Sequence, residues 1–378
     1  KRSIYGGARG PRLWFNHIKD VFLRIGFTQS KHDECLFFKP NIILALFVDD
    51  GFCVLKDMKL LHELVDDLKR ENVKITSEEN VESFLGIKID QHDDGSYNLT
   101  QPSLIQKIIK TTGMQDCNRN FVPAAKTTLG SDPEGEPHDE KWSYPAIVGM
   151  LLFLTTNTRP DIAYAVSQVA RFNHAPKKSH TTAVKMIVRY LAGTADKGTH
   201  VKPTGRLDLE LYTDGDFANM FKSEVPADPS SAKSRMAYFI YLSSVPLVWK
   251  CCLITQICQS TCEVEYCAIS HGMRALIPVH SLLKEIGRHL GLSSELESPV
   301  IQSSIFTDNA SALQLVKQQR LTNRTRYFHT KWHWFWQFIS KSEVTIVNDS
   351  SAHLLQDGPT MEIEKIPSDN AEIKAIER

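Results

Sequence analysis

Apolar positions along the first hundred residues follow two different periods. Trp14, Phe15, Ile18, Val21, Phe22 and Ile25 recur at helical spacing and stop at Gly26, which predicts one amphipathic helix. Ile42 to Val54 is strand-like and is broken by Asp49-Asp50-Gly51, which predicts a β-hairpin with acids at its tip. Leu60 to Leu68 reads as a short amphipathic helix. Phe84 to Ile89 and Tyr97 to Leu99 flank Asp94-Gly95, a second hairpin signal. From Pro123 to Lys141 the chain turns polar and rich in Gly, Pro and charge, and this is the best linker. Helical patterns follow over Ala146 to Thr155, Ile162 to Phe172 and Thr181 to Leu191, closed by Gly193 and Gly198.

A third region starts near Arg206. It alternates strand-like segments (Leu207 to Thr213, Met236 to Leu242, Leu247 to Lys250) with a helix over Glu263 to Leu290, and a further strand ends at Thr307-Asp308. The tail after Met361 is polar and expected to fray. The pattern predicts a mixed α/β (α+β) chain in three parts, 1–122, 123–205 and 206–360, followed by a polar tail over 361–378.

Composition narrows the classes. The 378 residues are 42% hydrophobic and 23% charged, the balance of a soluble globular chain. No apolar run is long enough to span a bilayer and no secretory h-region opens the chain, so no membrane is expected. The first residue is not Met, which suggests a fragment or a processed product. Lys plus Arg equals Asp plus Glu at 44 each, so any nucleic-acid binding must come from local basic patches. Eight cysteines without a signal peptide suggest reduced thiols. The spacing Cys258-x3-Cys262-x4-Cys267 contains no CxxC pair, which favours buried thiols over zinc. No phosphate-binding P-loop, no GxGxxG after a strand and no His pair with a partner acid is present, which disfavours nucleoside triphosphatases, dinucleotide enzymes and zinc hydrolases.

Four acids of the third region sit where strands meet turns or helices. Asp214 follows Leu209 to Thr213, Asp308 follows Ile305 to Thr307, Glu263 opens a helical stretch and Asp357 lies late in Leu354-Leu355-Gln356-Asp357. Strand-end acids in an α/β region project into a crevice. Several converging there require a cation, and hard oxygen ligands suit Mg²⁺ or Mn²⁺ in phosphodiester cleavage. Taken singly, each is equally a turn residue or a helix cap. Asp49-Asp50 is open in the same way: a good turn, or paired carboxylates that hold the metals of a nucleotidyl transfer. Lys317, Arg320, Arg324, Arg326 and Lys331 interleave with Tyr327, Phe328, Trp332, Trp334, Phe335 and Trp336. That pattern fits phosphate neutralisation and base stacking, or a helix with a buried aromatic stripe and a solvated basic face. Lys177, Lys178, Lys185 and Arg189 form a second basic face, open to the same two readings.

These motifs together resemble the C-terminal part of copia-type LTR retrotransposon Pol polyproteins. Lys1 to Gly6 with Pro11-Arg12-Leu13-Trp14 resembles "KSLYGLKQAPRLW", Phe47-Val48-Asp49-Asp50 resembles "YVDD", and Phe84-Leu85-Gly86-Ile87 resembles "FLGI". Thr158 to Val166 matches "TRPDIAYAV", and Arg189 to Thr194 resembles "RYLKGT". Tyr212 to Asp216 resembles "YSDADWA", Ser260 to Tyr266 resembles "SSTEAEY", Thr307-Asp308-Asn309 resembles "TDNQ", and Leu355-Gln356-Asp357 falls where the family has "QLAD". The resemblance implies a reverse transcriptase palm and thumb remainder over 1–122, a linker and helical connection over 123–205, and a ribonuclease H-like domain over 206–360. It implies that Asp214, Glu263, Asp308 and Asp357 bind two divalent metals, Mg²⁺ or Mn²⁺, and cleave RNA in an RNA/DNA hybrid. Glu265 is an alternative to Glu263. Asp49 would be a polymerase metal ligand with Asp50 beside it, and Arg12, Arg324, Arg326 and Lys331 would contact template-primer or hybrid.

The sequence also departs from the family. The further catalytic aspartate precedes the segment at which this chain starts, so the polymerase is expected to be incomplete and to use a dNTP only when the missing fingers are supplied. Gly7-Ala8-Arg9-Gly10 replaces "LKQA", and His329 stands at a family Asp. These are the changes of a drifting copy. The expected protein is an intracellular reverse transcriptase and ribonuclease H fragment, in a cytoplasmic particle or the nucleus. The rivals are a catalytically dead remnant that binds nucleic acid and a two-chain enzyme whose fingers lie on a separate fragment.

Overall fold

The computed structural model describes residues 9–78, 81–125, 128–202, 207–218, 221, 232–291, 301–322, 325–328, 330–341, 344–348 and 372–377. Among them, three sheets and three apolar cores mix helix and strand. The first core begins with α1 (Gly10–Arg24), which has Pro in its first turn, where a missing N–H is harmless. It buries Ile18, Val21 and Phe22 and stops at Gly26, whose φ of +94° suits a residue without Cβ. Then β1 (Thr28–Gln29), β2 (Leu36–Lys39), β3 (Ile42–Phe47) and β4 (Asp50–Leu55) pair in antiparallel sequence. Helix α2 (Met58–Arg70) is capped by the Asp57 carboxylate, which accepts from Lys59 N at 2.9 Å, and it packs Leu61, Leu64, Val65 and Leu68 into the same core. The short β5 (Thr76–Glu78) follows.

The second sheet holds β6 (Ser83–Phe84), β7 (Ile87–Gln91) and β8 (Tyr97–Thr100). Phe84 to Ile89 reads as one strand in the sequence; instead Leu85 and Gly86, at φ +51° and +77°, turn the chain between β6 and β7. Next come α3 (Pro102–Thr111), α4 (Tyr144–Asn157), α5 (Ala163–Val169) and α6 (Lys178–Gly193), which share one core through Ile105, Ile147, Val166 and Val188. The helical block therefore takes in α3, ahead of the linker. β9 (Thr199–Val201) returns to pair with β8. Gly198 makes that return possible, because a Cβ there would lie 2.0 Å from the Leu99 carbonyl oxygen.

The polar segment before α4 is tied down along α6. Ser179 Oγ donates to Asp132 at 2.5 Å, His180 Nε2 meets the Gly130 carbonyl at 2.8 Å, and Lys185 pairs with Glu140 at 2.5 Å. Lys178 pairs with Glu136 and Asp139, and Lys177 Nζ donates to Gly135 O at 2.9 Å. This basic face thus engages the chain's own carboxylates and carbonyls, which weakens its reading as a template track.

The third sheet is built from β10 (Asp208–Asp216), β11 (Arg235–Leu242), β12 (Val245–Leu253), β13 (Gln302–Thr307) and β14 (Thr345–Asn348), in the order β12-β11-β10-β13-β14. β10 to β12 are antiparallel, while β13 runs parallel to β10 and β14 parallel to β13. Helix α7 (Thr261–His289) covers it, with α8 (Ala310–Gln318) and α9 (Trp336–Ser340) completing the core. Glu372–Glu377, from the tail the sequence reads as frayed, forms a strand between β4 and β5.

One buried ion pair organises the helical block. Arg159, 1% exposed, donates through Nε to Asp161 Oδ1 at 2.9 Å and through a terminal nitrogen to Asp161 Oδ2 at 2.7 Å. It also donates to the Thr194 carbonyl and hydroxyl, each at 2.8 Å, and Tyr190 OH donates to Asp161 at 2.8 Å. Removing Arg159 leaves the half-buried Asp161 carboxylate without its counter-charge. Arg159→Met is expected to cost about 3 to 5 kcal/mol in urea unfolding, and adding Asp161→Leu should recover part of the loss.

Candidate active site

Parallel pairing sets the site. The register puts Tyr212 opposite Phe306, with their rings stacked at 4.6 Å, so Asp214 and Asp308, two residues further along each chain, stand level. Both are half-buried. Asp308 ends β13, and Asn309 at once caps α8 by accepting from Ala312 N at 2.9 Å.

Helix α7 approaches β10 closely. A Cβ on Gly215 would lie 2.7 Å from Val264 Cγ1 and 3.1 Å from Glu265 N, and one on Gly272 would lie 2.7 Å from the Leu211 side chain. The two glycines let helix and strand meet nearly backbone to backbone, which brings Glu265 beside Asp214. Glu265 is 6% exposed, and its Oε2 has no hydrogen-bond partner among the described residues. Burial, reinforced by the Asp214 and Asp308 carboxylates, pushes its carboxyl up to about 8, against a backbone hydrogen bond from Gly215 that lowers it.

Glu263 holds the start of α7. Ser260 caps α7 by accepting from Glu263 N at 3.2 Å, and Glu263 Oε2 accepts from Gln259 N at 2.8 Å. The signal was in the sequence: Ser260-Thr261-Cys262-Glu263 is an S-x-x-E capping pattern. Asp357 and Arg324 lie outside the described residues. A buried carboxylate oxygen without a partner, with two more carboxylates acting on it, is a donor set that suits a hard divalent cation. Among the described residues, however, no group of three or more His, Cys, Asp or Glu side chains closes a metal cage.

The second acid pair is at the β3–β4 turn. Val48, at φ +56°, and Asp49 make the turn, and Asp50 opens β4. Trp14 Nε1 donates to the Val48 carbonyl at 2.7 Å and ties the turn to α1. Asp49 is exposed at the edge of a small cleft shared with Trp14, Ile18 and Lys74, and Asp50 is half-buried. Arg12 is exposed and pairs with Glu34 at 3.5 Å. Arg326 is exposed, and Lys331 lies 4.5 Å from the Trp332 ring centre.

The aromatic segment resolves toward the core. Phe328, Trp332 and Phe335 are buried in the third core, which closes them to base stacking. The expected continuous helical stripe is a 3-10 turn at Thr330–Trp332 followed by the short α9. All eight cysteines are free thiols.

Two outcomes are expected. Glu265 has a folded value of about 8 against an ordinary 4.5, so between those values the folded chain holds a proton that the unfolded chain has released. Stability therefore falls as pH rises across that window. In chelator, the wild-type chain should lose on the order of a few kcal/mol between pH 5 and pH 8, and Glu265→Gln should abolish most of that slope in denaturant titrations. Gly215→Ala should destabilise by about 1 to 3 kcal/mol, because the added methyl forces α7 away from β10; thermal unfolding checks it.

Residues 1–126 match the family model described as reverse transcriptase (RNA-dependent DNA polymerase). The retrovirus-related Pol polyprotein from transposon RE1 of Arabidopsis thaliana is 28% identical over 98% of this chain and 24% of its own length. That from transposon TNT 1-94 of Nicotiana tabacum is 27% identical over 93% of this chain and 26% of its own. The putative transposon Ty5-1 protein of Saccharomyces cerevisiae is 28% identical over 65% of this chain and 79% of its own. The chain thus spans about a quarter of the length of the Pol polyproteins it matches. Among solved structures, an N-terminal RNase H domain from Mycobacterium tuberculosis covers 39% of this chain and 86% of its own at 8% identity, with a TM-score of 0.24, too low to bear on the site. No helix among the described residues is long and apolar enough to cross a membrane. With a reverse transcriptase match at its start and Pol polyproteins aligned along nearly all of it, the chain is similar to a stretch of the retrovirus-related Pol polyproteins of transposons RE1 and TNT 1-94.

Proposed function

We propose that the third region is a metal-dependent ribonuclease acting on the RNA strand of an RNA/DNA hybrid, with Asp214, Glu265 and Asp308 as its acids and Asp357 as a fourth. The observation that carries this is the buried, unpartnered Glu265 oxygen under the influence of Asp214 and Asp308. Acids arranged this way repel one another, and a divalent cation, Mg²⁺ or Mn²⁺, offsets that repulsion. When bound, such a cation supplies Lewis-acid stabilisation of the phosphodiester and an acidified water. Asp214 and Asp308 present oxygens from the two central strands, and Glu265 presents one from α7. The Gly215 N–H holds the Asp214 carboxylate by donating to Oδ1 at 2.8 Å.

The first region takes the companion role, RNA-directed DNA synthesis on a template-primer. Asp49, exposed, and Asp50, half-buried, are its metal-facing acids, at a turn that α1 holds in place. Two carboxylates make an incomplete set, so nucleotide addition requires a further acid that the described residues do not provide. A second reading is a catalytically dead relative that only binds nucleic acid. The absence of a closed metal cage among the described residues favours it.

The deciding experiment is cleavage of a labelled RNA/DNA hybrid by the full chain in Mg²⁺ or Mn²⁺. Cutting of the RNA strand should stop in chelator and fall to background in Glu265→Gln and Asp308→Asn, while Glu263→Gln retains most of it. Loss in Glu263→Gln with retention in Glu265→Gln would reverse the assignment. No metal-dependent cutting by folded protein would establish the second reading.

A further inference from the structure

A second charged surface lies on the outer side of α7. Lys331 Nζ is 4.5 Å from the Trp332 ring centre and the Arg274 guanidinium carbon is 5.7 Å from it, so two cations flank one buried indole. The His271 ring sits 5.0 Å from the same indole. Lys250, exposed on β12, acts on His271 together with Arg274 and Lys331. Burial first, and then these three cations, push His271 down to about 4, and no carboxylate opposes them. Neither Lys250 nor Arg274 makes an ion pair among the described residues. Lys250 and Arg274, like charges that both act on one imidazole, favour an anion to share.

This surface is separate from the acids. Arg274 follows Glu265 by nine residues, about two and a half helical turns, so it lies on the opposite side of α7. Its cations come from three elements, β12, α7 and the turn before α9, which spreads them over an extended patch. A spread of cations matches a repeating polyanion better than a single phosphate. The indole under them is 2% exposed and takes no part in stacking on bases.

We propose that Lys250, Arg274 and Lys331 form a second nucleic-acid contact, one that grips the phosphodiester backbone, without reading sequence, away from the cutting acids. It rests on the reading that this chain handles nucleic acid, and it adds a surface that cleavage chemistry does not require. His271, neutral between the cations, supplies an N–H donor without adding a fourth charge.

The test is binding of a fluorescent RNA/DNA hybrid to the full-length Asp308→Asn chain, across a salt series. Lys250→Gln and Arg274→Gln are then added singly and together, with thermal unfolding as the folding check. Lys250 is exposed on an edge strand, so its variant remains informative even where Arg274→Gln unsettles Trp332. Each substitution should weaken binding several-fold and lower the slope of log K against log salt by about 1, equally for hybrids of unrelated sequence. Unchanged affinity and slope in folded variants would overturn the inference and leave the ribonuclease reading standing. Failure of the parent chain to bind the hybrid would overturn both. Equal competition by poly-glutamate, lost in the same variants, would overturn the nucleic-acid assignment in favour of a general polyanion surface.

Discussion

The close contact of α7 with β10 is the constraint on which the functional surfaces depend. A 29-residue helix is about 43 Å long, so fixing its first half against one strand places the residues that half carries. Gly215 and Gly272 allow that contact, since any side chain at either would meet Val264 or Leu211. At its start α7 delivers Glu265 to Asp214 and Asp308. In its middle it presents His271 and Arg274 outward. Near its end the buried Glu285 carboxylate accepts from Ser30 Oγ at 2.5 Å and from Lys31 N at 3.0 Å, while His289 stacks on Phe38 at 4.1 Å. One helix thus joins the third sheet to the first.

The helical block rests on a different principle. Arg159 and Asp161 come from one motif and Tyr190 and Thr194 from another, and each nitrogen of the guanidinium fork donates to an oxygen. A buried charge needs such hydrogen bonds to offset its desolvation. The two strings are therefore parts of one structural joint between the end of α4 and the end of α6. The block also contacts the third sheet, where Arg235 donates to Ser167 Oγ at 2.6 Å and Trp249 Nε1 donates to the Thr155 carbonyl.

Charge is sorted by position even though its total is zero. Acids gather where β10 and β13 end, cations gather outside α7, and the basic face of α6 is taken up by carboxylates and carbonyls of the preceding segment. Like charges held together cost stability, and they persist where a ligand of opposite sign repays the strain.

Most elements were legible because their apolar periodicity is local. The β3–β4 hairpin, α2 and α7 follow from spacing, turn residues and caps within a few positions. The capping role of Glu263 was legible too, from Ser260 three residues earlier. That Glu265 lies beside Asp214 and Asp308 required the fold, because nothing local shows that those two stand level on neighbouring parallel strands. The same holds for the aromatic segment, where Phe328, Trp332 and Phe335 turn inward in an irregular stretch, and for the polar segment before α4, which composition presents as a linker and α6 holds down. Sequence by itself determined the long periodic helices and hairpins and which residue types carry charge, since those depend on neighbours a few bonds away. Only the tertiary structure decided which charges share a site, because that depends on strand register and on how closely two backbones can pass, and both are set by residues far apart in the chain.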